Sequence, residues 1–250
     1  MSNSTTPRWT VSNVTEDTTF ALARLGSLRT KPGRESDLLE QLPDGWSISP
    51  VDPTTVLVPF TSLWLRPGFI LRAYQFKERG NGNAVVWAVP VDAEFPNPEM
   101  CLRLQGVFLA PPKPPGALDD TMAAIEGNGT PWSYLCASLL ARELGEFGAM
   151  WHGSEWGTHD ILGAAPWKTT KRQQIRSQEE AWRWSESEPK PVDWMPRVHV
   201  ADDFVTVTFL TYTALGQEKI IQHTDTFKAG NYQFATQYKV LATGPAGFVW

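Results

Sequence analysis

Cysteine and histidine, the residue types that most often carry catalysis or metal binding, are scarce in this chain. Its 250 residues include two cysteines and four histidines. Cys101 and Cys136 form no CxxC pair, which excludes a zinc ribbon or a thioredoxin-type motif. They are expected as two buried free thiols, because free cysteine packs as a small hydrophobe. No stretch approaches the roughly 18 consecutive apolar residues of a membrane span. There is no GxSxG elbow and no GxxxxGK[ST] phosphate loop. Gly80-Asn81-Gly82 matches the start of a dinucleotide fingerprint, but its context is a hairpin rather than a strand-to-helix turn. Positive charge is also lacking. A net charge of -5 argues against a general nucleic-acid binder, since phosphate neutralisation needs clustered lysine and arginine. Residues 1–19 are polar and carry no apolar signal core, so they read as a flexible arm on a cytoplasmic protein.

Aromatic side chains are abundant. The chain has 12 tryptophans, 12 phenylalanines and 20 prolines, with 42% hydrophobic and 20% charged residues. That balance fits a folded chain rather than a disordered one. Tryptophan is large and its N–H wants a partner when buried. So many indoles imply rings bracing irregular loops, an aromatic-lined cavity, or both.

The pattern along the chain is mainly that of β-structure. A short helix is expected over Glu35–Leu42, stopped by Pro43-Asp44-Gly45. Val56–Trp64 reads as a strand with Pro59 at an edge or bend. Phe69–Lys77 and Ala84–Val91 form a hairpin around a Gly/Asn-rich tip, with Val85, Trp87, Val89 and Val91 on one face. Cys101–Leu109 is a further strand candidate, and Pro111–Gly116 a stiff connector that could divide the chain. The best helix is Pro131–Phe147. Thr130 is its N-cap, Pro131 its first residue, and Gly148 its stop. Trp132, Leu135, Cys136, Leu139, Leu140, Leu144 and Phe147 make an apolar stripe. Lys168–Arg176 is basic and Glu179–Glu188 acidic, as on a solvated face. Phe204–Thr213, Glu218–Lys228 and Tyr232–Thr243 alternate and are joined by short turns, which predicts an antiparallel meander. In the last of these, Tyr232, Phe234, Thr236, Tyr238, Val240 and Ala242 are expected on one face. The whole predicts one α+β domain over residues 20–250. It is a mainly antiparallel sheet, barrel-like or two-layered, with the helix 131–147 packed on it.

The richest segment for chemistry is Trp151-His152-Gly153-Ser154-Glu155-Trp156-Gly157-Thr158-His159-Asp160. Its glycines break regular structure, and its imidazoles and carboxylates can move protons or bind metal. A zinc site over His152 and His159 would need a third ligand from Glu155, Asp160 or His223. The spacing is no HExxH pattern, so no metal is assigned and no cofactor is named. His223 and Asp225 share a strand face by alternation. A carboxylate there could fix the imidazole tautomer, but a solvated surface pair is the favoured reading of this spacing. Trp151, Trp156 and Trp87 are candidates to stack on a ligand, and Arg72 to anchor an anionic one.

Two functions follow. The first is a binding or accessory protein whose aromatic pocket or Trp-rich face holds an apolar or planar small molecule or a protein partner. The second is a small hydrolase or lyase using His152, His159 and His223 with Glu155, Asp160 and Asp225 in acid–base or metal-assisted chemistry.

Overall fold

A computed structural model describes residues 10–12, 25, 28, 35–105, 107–168 and 179–249. Most of the expected N-terminal arm and most of the basic run 168–176 lie outside the described residues. The described strands, in chain order, are β1 (Thr10–Ser12), β2 (Gly45–Ile48), β3 (Leu63–Leu65), β4 (Phe69–Glu78), β5 (Asn81–Pro90), β6 (Arg103–Gln105) and β7 (Phe108–Ala110). They continue with β8 (Ile125–Gly127), β9 (Asp160–Ile161), β10 (Arg183–Trp184), β11 (Arg197–Val200), β12 (Phe204–Thr213), β13 (Lys219–Lys228) and β14 (Phe234–Thr243). All the strand pairings are antiparallel. The architecture is α+β and sheet-rich. Its largest sheet is open, running β1-β11-β12-β13-β14-β10, so the barrel-like option is corrected to an open sheet.

The chain divides into two compact, interleaved units. The first comprises Met1–Gly26, Gly129–Ser138 and Thr158–Val249; the second comprises Ser27–Asn128, Leu139–Gly157 and Trp250. The connector Pro111–Gly116 lies inside the second unit, and no unit boundary falls there.

The second unit is built on the sheet β2-β4-β5. Its long hairpin turns at Arg79-Gly80, both with positive φ (50° and 84°). Gly82 and its asparagine neighbours therefore belong to β5 rather than to a tip. Gly82 is in the strand because the partner backbone is close: a Cβ there would sit 2.2 Å from the Phe76 carbonyl oxygen. The core face of β5 is Ala84, Val86 and Ala88, and Val85 and Trp87 are only half-buried. Tyr74 is fully buried, stacks on Phe95 with centroids 4.4 Å apart, and donates to the Pro96 carbonyl. Burial raises its phenol pKa well above the ordinary value, and the hydrogen bond with Cys101 adds to the shift. Two expected strands differ. Residues 54–57 form a helical turn ahead of β3, and the candidate strand 101–109 is a small hairpin, β6-β7, with Leu104 and Leu109 exposed. Both cysteines are free and buried.

The helix runs Pro131–Gly145. Thr130 caps it as expected, its Oγ1 accepting from the Ser133 amide at 3.3 Å. A single apolar stripe understates its burial, because all residues from 133 to 140 are buried. Off the stripe, Ser133, Ala137 and Ser138 are small enough to let neighbours approach, and Tyr134 is itself buried. In the first unit Tyr134 meets Phe227 of β13 edge-on at 5.2 Å and stacks on Tyr232 at 5.0 Å. Its hydroxyl accepts from the Gly230 amide, which ties the β13–β14 turn to the helix.

The meander sets the first unit. β12 and β13 pair in unbroken register from Phe204↔Lys228 to Thr213↔Lys219. β11 covers the outer edge of β12 at its start, and β9 covers it at Thr211 and Tyr212. From Phe209 to Thr213 every residue of β12 is buried, so both faces of the strand are covered there. The regular alternation expected through 232–243 stops at a bulge. Ile220 pairs with Ala242 and Ile221 with Val240, which leaves Leu241 as the extra residue and buries it beside Ala242.

Candidate functional site

The imidazole-rich segment is divided between the two units. Trp151, His152, Glu155 and Trp156 belong to the second, and His159 and Asp160 to the first. In the second unit the loop is held by Glu146, an acid just past the end of the helix. The Glu146 carboxylate accepts from the backbone amides of Glu155, Trp156 and Gly157. Trp156 is buried, donates its indole N–H to Glu143 Oε1 at 2.8 Å, and lies under the Arg142 guanidinium. Trp151 is exposed with a positive φ of 45°, and His152 and Glu155 are exposed beside it. Trp87 donates to the Pro112 carbonyl at 2.8 Å and carries the Lys113 ammonium over its ring. Lys113 also hydrogen-bonds Asp119, which holds that carboxyl below its usual range. Arg72 is exposed on β4. Trp156 and Trp87 thus brace the fold locally, as buried or half-buried indoles with acceptors generally do.

The first unit gathers the remaining candidates. β9 lies along β12 with Ile161 opposite Thr211, and this pairing delivers His159 to the strand. Thr211 Oγ1 is 3.0 Å from His159 Nδ1 and 2.9 Å from His223 Nε2. The two rings stand 5.9 Å apart, and His223 stacks on Phe209 at 4.9 Å. Thr211 and Asp225 are fully buried, while His159 and His223 retain 6% and 8% exposure. His223 and Asp225 do share a face, but it is the buried face of β13. The solvated surface pair is therefore corrected to a core position: Tyr134 of the helix packs on Phe227 of the same face, and His159 lies beside His223. A hydroxyl has one proton to give. Between two neutral imidazoles, one ring N–H donates to Thr211 and the Thr211 hydroxyl donates to the other ring. The arrangement is a three-member path along which a proton can pass.

No known family, curated protein or solved structure matches this chain. Among the described residues no three His, Cys, Asp or Glu side chains gather where they could hold a metal ion. No described helix is long and apolar enough to cross a membrane.

The opposite face of β12 carries a second cluster, which includes Trp182 and Trp184, indoles of the polar segment 168–188. Leu210, Tyr212 and Ala214 lie with Ile220, Leu162, Leu241 and Trp182 in one buried group, and Trp167, Trp184 and Trp194 pack against it partly exposed. Trp167 is the hub, with centroid distances of 5.9 Å to Trp182, 6.2 Å to Trp184 and 5.7 Å to Trp194. Trp184 and Trp194 also meet, at 6.5 Å. Tyr212 joins from below Trp182 and donates to the buried Glu218 carboxylate at 2.9 Å. The signal was present as Trp182-Arg183-Trp184, whose i, i+2 spacing puts both indoles on one side of a strand. It was masked by the acidic residues around it.

Proposed function

We propose that this protein binds an apolar, planar small molecule on the tryptophan cluster of its large sheet. The observation that carries this reading is the meeting of Trp167, Trp182, Trp184 and Trp194 in one group, three of them only partly covered. Aromatic faces that remain partly open and are held in fixed relative orientation suit stacking on a flat apolar ligand. The proposed seat therefore differs from Trp151, Trp156, Trp87 and Arg72. A titration with planar hydrocarbons and heteroaromatics, followed by indole emission and melting temperature, tests it. Binding should change the emission and raise the melting temperature, and Trp167→Ala should abolish both responses in a chain that still folds. A panel that leaves both unchanged in the wild type ends the proposal. A protein partner occupying the same face would appear as ligand-insensitive emission that shifts on complex formation.

The imidazole pair favours a second reading, a hydrolase or lyase in which His159 and His223 exchange a proton through Thr211. Asp160 and Asp225 are the carboxylates on the same strands. His152 and Glu155 belong to the other unit and are not needed for the path. Screening ester, amide and phosphoester hydrolysis and carbon–oxygen elimination in wild type, His159→Ala and His223→Ala checks it. Activity that survives in both variants would remove these residues from the chemistry.

A further inference from the structure

Three indoles outside the cluster have acceptors for their N–H groups: Trp64 donates to Glu126, Trp87 to the Pro112 carbonyl and Trp156 to Glu143. Trp182 and Trp184 break this pattern. Their Nε1 atoms are buried and have no hydrogen-bond partner among the described residues. An unmet buried donor is costly, and native proteins rarely keep one without a use. Here two occur two residues apart, on rings that both pack against Trp167. Trp182 is more than nine-tenths buried. Trp184 lies on β10 and Trp182 immediately precedes it, so the two unmet donors belong to rings that pack on Trp167 beside partly open aromatic faces. Orientation in small-molecule sites commonly depends on a few such polar groups.

We infer that the ligand of the tryptophan cluster is a planar aromatic molecule bearing a neutral carbonyl oxygen, which accepts hydrogen bonds from the Trp182 and Trp184 indoles. This inference rests on the binding role proposed above. A carbonyl fits because its oxygen has two lone pairs for two donors. A carboxylate fits less well, because a charge among indoles would lose its hydration. The nearby ammonium of Lys190 lies 5.1 Å from the Trp184 ring and is already 3.7 Å from Glu179.

The test uses two probes of the same shape, 2-acetylnaphthalene and 2-ethylnaphthalene. Their affinities are measured on the wild-type chain and on Trp182→Phe and Trp184→Phe, which keep an aromatic ring and remove the N–H. The ketone should bind the wild type about tenfold more tightly than the hydrocarbon, and each variant should lose most of that advantage. The nitrogen-15 indole resonances of these two residues should also move on ketone binding and stay with the hydrocarbon, a readout that needs no variant to fold. Equal affinities, or unmoved resonances, overturn the carbonyl inference and show the N–H groups resting on ring faces, while leaving the binding role standing. If neither probe binds, both proposals fall.

Discussion

Thr211 occupies a position where almost no other side chain would serve. Its single hydroxyl lies within 3.0 Å of a nitrogen on each of two imidazoles, and it is fully buried. Valine has the same shape but cannot bridge them. Thr211→Val should cost about 1–3 kcal/mol in urea denaturation, with Thr211→Ser recovering part of it. Gly148 is constrained differently. It has a φ of 66°, and a Cβ would come 2.1 Å from Gln75 Oε1. Gln75 cannot swing away easily, since it is fully buried and donates to the carbonyls of Phe76 and Gly148. Gly148→Ala should therefore lose about 2 kcal/mol or more, read as a lowered denaturation midpoint. Tyr74 sets an alkaline limit. The fold favours its neutral phenol, so its pKa is raised on folding. Its contribution is intact below its ordinary value near 10 and is lost as pH rises above it. Denaturation midpoints should fall on the alkaline side, and Tyr74→Phe should flatten that fall.

Among the elements, those with strong periodicity were legible. The hairpin β4-β5, the helix and the meander β12-β13-β14 stand close to where alternation and caps put them, because their periodicity and turn signals are local. The misplaced features are those decided by contacts distant in sequence. Alternation put His223 and Asp225 on one face of β13, but which face is buried depends on Tyr134 of the helix and on His159. The bulge at Leu241 has no local signature. Glu146 sits off the helix stripe, yet it collects three backbone amides ten residues onward. Glu146→Ala should loosen the 155–157 segment at a cost of about 2–3 kcal/mol, since bonds to a charged acceptor are the stronger kind. Hydrogen exchange at those three amides should quicken while β4 and β5 stay protected.

For the molecule as a whole, chain order and compactness part company. The second unit draws on Ser27–Asn128 and on Leu139–Gly157. The later piece is no accessory, because Phe147 accepts from the Ala84 amide and Gly82 accepts from the Met150 amide. A fragment of residues 27–157 should show cooperative unfolding, and one of residues 27–128 should not, with circular dichroism against temperature as the check. Sequence reading had no access to this interleaving, since it rests on contacts between segments distant in the chain.

The strand β12 also fixes its own phase. Thr211 serves the imidazoles on one side and Tyr212 serves the indoles and Glu218 on the other. A slip of one position would drive a phenol between two rings spaced for a hydroxyl and leave a small alcohol under the tryptophans, so misregistered pairings are rejected on both sides at once.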